Sequence, residues 1–314
     1  MSKFRFIDLF AGIGGFHLAA TDHGGKLVFA SEFNVPAADT YENNFGVRPF
    51  GDITQIPAAT IPCHDLLLAG FPCQPFSNAG KKLGFSDTRG TLFFDIERIL
   101  KFHHPKAVLL ENVKGFMNHD GGETHRVVVE SLETLGYRVS SKVLNANSFG
   151  LPQNRERIFI VGIQHDLLLK APFEFPSPAK TKTSVGKILQ KKVDPKYTIS
   201  DRLWAGHKRR KVEHARKGNG FGYSLFDSSS PYTSTISARY YKDGSEILIA
   251  QPGSNPRKVT PREAARLQGF PDDFSPHPSD TQAYKQFGNA VPVVMASAVI
   301  KAIADTGVLN GKRR

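Results

Sequence analysis

Cysteine is scarce in this chain of 314 residues, which has two, Cys63 and Cys73. Two cysteines cannot build the disulfide framework of a small secreted protein, so we expect a reducing compartment, the cytoplasm. No stretch approaches the roughly 20 apolar residues of a membrane span. The N-terminal segment MSKFRFIDLF also lacks the long apolar core and cleavage site of a signal peptide.

Acidic residues are in deficit, with 29 Asp and Glu against 41 Lys and Arg. The resulting formal net charge of +12 favours a polyanionic partner, and nucleic acid is the first candidate. Metal-binding patterns are missing as well, because the eleven histidines are scattered and neither cysteine has a partner at zinc-site spacing. We therefore expect no metal.

The first half of the chain alternates short apolar runs with segments of helical spacing. The apolar runs predict strands at residues 4–9, 26–30, 65–69, 107–110 and 157–163, and the spacing predicts helices at 16–23 and 92–103. Near-continuous apolar strands separated by helices are typical of a parallel sheet covered on both faces. The sequence therefore predicts an α/β fold with a doubly wound, mostly parallel sheet.

The composition changes near Pro172, where proline, serine and threonine become frequent. We expect one domain at residues 1–177 plus 286–314, a smaller, irregular, β-rich domain at 178–257, and a connecting segment at 258–285. Within the last two regions the pattern predicts strands at 233–241 and 246–250 and a helix at 261–267. A final apolar helix is predicted at 291–303.

A glycine-rich turn follows the first strand and reads DLFAGIGG at residues 8–15. Such a turn before a helix lets a ligand approach the backbone N–H groups. His17 stands where a dinucleotide fingerprint needs glycine, so the turn fits a nucleoside without pyrophosphate better. Glu32, after strand 2, could accept both ribose hydroxyls, and Asp52 could accept an adenine amino group. Taken singly, either acid could equally be a helix cap or a surface carboxylate.

Reactive groups cluster at the ends of later strands. Cys73 lies between two prolines in GFPCQPFS, just after a strand, where open α/β sheets place their sites. Its thiolate would be a nucleophile, whereas Cys63 fits a buried structural thiol. Glu111 ends the next strand, and Arg155 and Arg157 enter the last one, where they could orient a carboxylate and a carbonyl oxygen.

Seven ordered blocks of the sequence resemble the cytosine-5 DNA methyltransferases of bacterial restriction–modification systems. They read DLFAGIGG, GDI, GFPCQPFS, ENV, QNRER, PREAARLQGFP and QFGNAVP, and together they cover almost the whole chain. The resemblance implies a methyltransferase fold, S-adenosylmethionine as cofactor and S-adenosylhomocysteine as product. It also implies double-stranded DNA as substrate, a monomeric enzyme and a possible cognate restriction endonuclease.

The family chemistry implied by these blocks starts with a flipped-out cytosine. The Cys73 thiolate would add to C6, which makes C5 nucleophilic toward the sulfonium methyl group. Glu111 would bond N3 and the exocyclic amine, Arg157 would bond O2, and Arg155 would support the cysteine and the glutamate. Loss of the C5 proton then expels the cysteine, and the base that removes this proton is not evident from the sequence.

The resemblance also implies binding residues. Phe33 is a mild departure, because some relatives carry tryptophan after the acidic residue, yet an aromatic ring could still stack on adenine. The implied cofactor residues are Phe10, Gly12, Ile13, Gly14, Gly15, Glu32, Phe33, Asp52, Ile53, Pro72, Leu92, Asn289 and Ala290.

The family places target recognition in the region that corresponds to residues 178–257. We expect phosphate contacts from Arg209 and Arg210, although their charge run could be a solvated helix face. Arg239 could read a guanine edge, with Tyr240 beside it, in a segment that resembles a subset methylating sites that begin with two cytosines. Arg89, on a lid-like glycine-bearing loop at 80–91, could hold a phosphate.

Two other functions share this scaffold. An RNA cytosine-5 methyltransferase could carry the ENVKGF segment found here, but the chain lacks the cysteine–phenylalanine–threonine element of the RNA-acting branch. A non-catalytic DNA-binding protein could keep the fold, but it would not need Cys73, Glu111 and both arginines intact. Methyl transfer to duplex DNA or to transfer RNA separates the three.

Overall fold

The chain divides into two units of different architecture. A computed structural model describes residues 3–72, 92–178, 182–220 and 222–310. The first unit comprises Met1–Leu144, Glu156–Ser177 and Met295–Arg314, and the second comprises Asn145–Arg155 and Pro178–Val294. The functional limits expected for a target-recognition region stay a prediction.

The first unit is built on a six-stranded sheet with the strand order β2-β1-β3-β4-β6-β5. β1 pairs in parallel with β2 and β3, β3 pairs in parallel with β4, and β4 pairs antiparallel with β6. The doubly wound, mostly parallel α/β class is therefore confirmed. The strands are β1 Phe4–Leu9, β2 Gly25–Ser31, β3 Leu66–Gly70, β4 Ala107–Val113, β5 Tyr137–Asn145 and β6 Glu156–Gln164.

Helices cover this sheet through apolar faces. Helix α3 buries Phe93, Ile96, Ile99 and Leu100, the residues whose spacing predicted it. Full burial of such side chains contributes up to about 1.5–3 kcal/mol each. The helices in this part of the chain are α1 Gly15–Thr21, α2 Val35–Phe45, α3 Phe93–His103 and α4 Glu123–Thr134.

The parallel register brings three strand ends together. Leu9 of β1 lies opposite Ala69 of β3, and Ala69 lies opposite Leu110 of β4. Neighbouring strands are about 4.8 Å apart, so the segments that leave these strands start within about two strand spacings of each other. The segments after β1 and β3 carry the glycine turn and the approach to Cys73, and Glu111 lies within β4, opposite Gly70.

The second unit is less regular. It contains helix α5 Asp201–Arg216, a three-stranded sheet of β7 Leu225–Phe226, β8 Leu248–Ile249 and β9 Arg257–Lys258, and helices α6 Pro261–Leu267 and α7 Asp280–Asn289. Helix α6 has the predicted bounds. Its Thr260 and Glu263 form a capping box, and Glu263 also binds the buried Arg257 in a bidentate pair at 2.7 and 2.8 Å.

The strand predicted at residues 233–241 is wrong. Only Thr233 makes a β-bridge, to Gln153, and the following backbone runs into turns. The backbone N–H of Ile236 donates to the Gln153 side chain at 2.9 Å, and its carbonyl accepts from Arg155 at 3.1 Å. Side chains from a distant segment thus satisfy backbone groups that a strand would pair with another strand.

The segment Asp280–Asp305 is apolar enough and long enough to cross a membrane by composition alone, with a mean hydropathy of 1.6 in its most apolar window. The sequence-based expectation overlooked it. The structure divides the segment into α7 and α8 Val293–Asp305, and 56% of that window is buried. Core helices of this kind pass the same test, so the segment is weak evidence for a span.

Candidate active site

The glycine turn after β1 has an unusual backbone. Phe10 and Gly12 both have φ of +55°, and Gly14, which precedes α1, has φ of +86°. Left-handed geometry is uncommon for a residue with a side chain, and it concentrates at functional sites. A Cβ on Gly14 would meet the Phe45 ring at 2.2 Å, whereas no atom of the described residues lies within 4 Å of one on Gly12. The turn is therefore packed on one side and open on the other.

Glu32 connects this turn to the end of β2. One carboxylate oxygen accepts the backbone N–H of Gly12 at 2.8 Å, and the other accepts that of Asn34 at 2.7 Å. Burial raises the pKa of Glu32, and the N–H groups of Asn34, Gly12 and Phe33 oppose the shift. Phe33 follows with its ring 70% exposed.

Asp52 follows a segment whose residue Phe50 pairs with the end of β2. The backbone N–H of Phe50 donates to Ala30, and its carbonyl accepts from the N–H of Glu32, both at 2.8 Å. Asp52 is exposed and caps a short helical turn by accepting from Thr54 at 3.0 Å. The structure thus places the backbone that leads to Asp52 against the end of β2, where Glu32 follows. Ile53 is buried in the core.

Asp8 is a buried acid that sequence reasoning did not single out. It occupies the end of β1, it is fully buried, and neither of its oxygens makes a hydrogen bond of ordinary geometry to any residue that the structure describes. Burial raises its pKa well above the usual range, the charge of Glu32 adds to this, and the backbone N–H of His17 opposes it. The sequence feature that could have identified Asp8 is an aspartate inside the apolar run FRFIDL.

Asp8 makes stability depend on pH. Its raised folded-state pKa means that the folded protein holds a proton that the unfolded chain releases above about pH 3.9. Stability should therefore fall as pH rises from the unfolded pKa toward the folded one. We expect Asp8→Asn to gain stability relative to the parent protein between pH 5 and pH 8, as measured by urea unfolding at each pH. A difference that stays constant over this range would contradict the raised pKa.

The approach to Cys73 is anchored to the end of β4. The Asn112 side-chain amide donates to the carbonyl of Phe71 at 2.9 Å, and Phe71 is buried. Pro72 follows and is exposed. Cys73 and Arg89 themselves lie outside the described residues. Leu92, immediately before α3, is half-buried.

Glu111 and Arg157 form an ion pair at the same strand ends. Arg157 Nε lies 3.0 Å from Glu111 Oε1, and the two side chains are only 12% and 9% exposed. Burial lowers the pKa of Arg157, and the charge of Glu111 and its hydrogen bond raise it. A buried charge pair beside the loop that leads to a cysteine can orient a polar planar ligand and exchange a proton with it.

Arg155 is buried in the second unit. Its guanidinium donates to the carbonyls of Gly288 and Ala290 at 2.9 Å, besides the bond to Ile236. Asn289, between those two carbonyls, is exposed. The contacts that the structure shows for Arg155 are thus to backbone around predicted cofactor residues, and the predicted support of Cys73 and Glu111 stays a prediction.

The predicted DNA-contacting residues differ in exposure. Arg239 is exposed, and the side chain of Arg209 is 74% exposed. Arg210 lies 3.1 Å from Asp243 and 2.8 Å from His207. Tyr240 is fully buried, and its hydroxyl donates to Ile247 at 2.6 Å and accepts from Val259 at 2.9 Å. We correct the prediction for Tyr240, because a buried side chain with both hydrogen bonds used is a core residue.

Cys63 is exposed, so its expected role as a buried thiol is wrong. Metal ligands do not cluster: within residues 3–72, 92–178, 182–220 and 222–310, the structure holds no group of three His, Cys, Asp or Glu side chains suited to a metal ion.

Comparison with known proteins decides the family. The family model described as C-5 cytosine-specific DNA methylase matches residues 4–305. The chain belongs to this family. Within the C-5 cytosine-specific DNA methylases, the curated relatives include the Type II methyltransferase M.NlaX of Neisseria lactamica, 58% identical over 96% of this chain and 95% of the relative. M.DsaV of Dactylococcopsis salina is 56% identical over 96% of this chain and 85% of the relative. M.HhaI of Haemophilus parahaemolyticus is 42% identical over 93% of this chain and 92% of the relative.

Solved structures agree on the fold of this methylase. A crystal structure of Spodoptera frugiperda DNMT2 has a TM-score of 0.76 at 23% identity, covering 96% of this chain and 99% of that one. The S. pombe Dnmt2 methyltransferase also has a TM-score of 0.76, at 22% identity, covering 95% and 97%. At these identities the likeness shows the methyltransferase fold alone.

Proposed function

We propose that the chain methylates C5 of cytosine in duplex DNA with S-adenosylmethionine as donor, as the methyltransferase of a Type II restriction–modification system in a bacterial cytoplasm. Family membership supports the reaction class, and the names of the relatives support the restriction–modification setting, including a cognate endonuclease. The observation that carries the chemistry is the buried Glu111–Arg157 pair beside the anchored approach to Cys73.

The pair suits a cytosine ring that gains negative charge. When a thiolate adds at C6, charge develops at O2 and N3. The Arg157 guanidinium would stabilise the charge at O2, and a protonated Glu111 would donate to N3. Both groups act in a closed environment, where a charge–dipole interaction is stronger than in water. Asn112 holds Phe71, two residues before Cys73, so that the nucleophile would start from a fixed backbone.

The glycine turn and its two acids fit the nucleoside part of the donor. Gly12 leaves an open side on which a ligand can approach the backbone, and Glu32 keeps acceptor capacity for two ribose hydroxyls. The exposed ring of Phe33 can stack on adenine, and Asp52 can accept its amino group. Bound there, S-adenosylmethionine would supply the electrophilic methyl group.

Glu32 should govern affinity for the donor. Replacing it with glutamine removes one acceptor and the negative charge, and hydrogen bonds to charged groups contribute about 1.5–3 kcal/mol. We expect Glu32→Gln to raise the KM for S-adenosylmethionine by about 10–100-fold, with a smaller change in kcat. Initial rates with labelled donor measure both. The matched control is Glu42→Gln, on the exposed face of α2, and equal KM values for the two variants would remove Glu32 from the site.

Methyl transfer from labelled donor tests the function directly. We expect incorporation into duplex DNA at one cytosine context, mapped by bisulfite-type sequencing, and none into transfer RNA. Incorporation into transfer RNA alone would establish the RNA alternative. Binding of duplex without any transfer would establish a non-catalytic protein.

A further inference from the structure

Helix α5 in the second unit is strongly basic and firmly held on one side. It carries six Lys or Arg residues against two acidic residues. On its inner side His207 is buried, and the Trp204 ring packs edge-on against Tyr223 at 4.6 Å between centroids. The Lys211 amine lies 4.3 Å from the centroid of the Tyr223 ring. These contacts fix which face of the helix points to solvent.

The outer face carries a row of three arginines, Arg202, Arg209 and Arg216. They recur every seven residues, which places them on one side of the helix at intervals of about 10 Å. All three are exposed. Arg209 has one loose ion pair, with Glu213 at 3.6 Å and largely in solvent, which offsets little of its charge. In the part of the chain that the structure describes, Arg202 and Arg216 have no acidic partner.

A hollow of about 260 Å³ lies on this face. It is lined by Ser200, Arg202, Leu203, Gly206, Arg209 and Arg210. Glycine in a helix interior costs about 0.5–1 kcal/mol relative to alanine, and within the described ranges no atom within 4 Å of a Cβ at Gly206 requires it there. Arg210 is paired with Asp243 at 3.1 Å, so Arg202 and Arg209 supply the positive charge of the hollow. The hollow therefore leaves open space for an anion beside Arg202 and Arg209.

We propose that the arginine row, Arg202, Arg209 and Arg216, binds the phosphate backbone of duplex DNA beside the bases that the enzyme reads. The proposal rests on the proposed function for the choice of DNA. A row about 20 Å long suits a polyanion better than a single phosphate. Adjacent phosphates of a DNA strand lie closer together than this interval, so each of the three guanidinium groups can meet a different phosphate. Such contacts supply affinity and orientation but no base discrimination.

The test neutralises the row and measures the salt dependence of binding. The variant is R202Q/R209Q/R216Q, and the matched control is K26Q/K101Q/K142Q, which removes the same charge from exposed lysines of the first unit. Both are titrated with one duplex that contains the methylated site and one in which it is scrambled. We expect the row variant to lower the slope of log K against log salt by about two to three, since each phosphate contact contributes about 0.9. Affinity should fall equally for both duplexes, and the preference for the site should persist.

A second pair of variants addresses the hollow. Gly206→Asp puts a carboxylate into it, and Gly206→Ala adds only a methyl group to an open position. We expect weaker DNA binding for the aspartate variant and none of this loss for the alanine variant. The proposal is overturned if the row variant keeps the slope of the lysine control, if it loses site preference, or if only transfer RNA binding changes. If the protein methylates DNA but the row variant keeps the slope of the control, the proposed role of the arginine row is wrong and the proposed function stands. If the slope changes but the protein transfers no methyl group, the proposed function is wrong and the arginine row still binds DNA.

Discussion

Cys73→Ala is expected to reduce methyl transfer to the background of the assay while cofactor and DNA binding persist. C5 of cytosine is a poor nucleophile, and without a thiolate at C6 no other group in the proposed mechanism can activate it. Cys73 lies outside the described residues, so its position is inferred from the sequence and from the anchored Phe71 just before it. Single-turnover transfer to a duplex with the mapped site measures the effect.

Cys63→Ala is the matched control, because Cys63 is the exposed second cysteine of the chain. It should retain the parent rate. A duplex with 5-fluorocytosine at the target position gives an independent readout, since the fluorine blocks the elimination that releases the enzyme. We expect a denaturation-resistant adduct with the parent protein and with Cys63→Ala, and none with Cys73→Ala. A near-normal rate for Cys73→Ala would show that the covalent mechanism is wrong.

Five of the six strands in the sheet of the first unit were predicted because their signal is local, whereas β5, which is largely exposed, was missed. Runs such as FRFIDL and RIFIVGI are buried on both faces of the sheet, so each can be recognised as a strand from its own apolar residues. The glycine turn, Glu32 and Asp52 were found for a related reason, since parallel strands bring successive strand ends to one edge of the sheet. Chain order alone therefore suggested that Glu32 lies near the glycine turn, and the structure shows its carboxylate accepting the N–H of Gly12.

The second unit was harder to predict because its order comes from contacts distant in sequence. The backbone of Ile236 is held by the side chains of Gln153 and Arg155, about 80 residues earlier. A Cβ on Gly288 would lie 2.3 Å from the backbone of Ser237 and Ala238, so the glycine is required by a segment some 50 residues away. Neither requirement leaves a periodic pattern. A strand was consequently predicted at 233–241, and Tyr240, which is buried, was predicted to lie at the DNA contact.

Glu111→Gln is expected to lower kcat by about 10²–10⁴-fold, the usual range for loss of a general acid. Glutamine keeps the shape and can still accept from Arg157, but it cannot deliver a proton to N3 of cytosine. The substitution also leaves the Arg157 charge buried without its counter-charge, and breaking a buried pair can cost about 3–5 kcal/mol. The free energy of unfolding must therefore be measured with the rate.

The neighbouring strand offers a matched control, Glu156→Gln. Glu156 also pairs with a cation, Lys114 at 3.0 Å, but the two side chains are 40% and 57% exposed. A surface pair of this kind contributes about 0–1 kcal/mol, so Glu156→Gln should change neither rate nor stability appreciably. Glu111→Gln should lose activity even at temperatures where it remains fully folded, because its main defect is in proton donation. If its rate recovers in proportion to the folded fraction, Glu111 only supports the structure, and the proposed proton transfer to N3 is wrong.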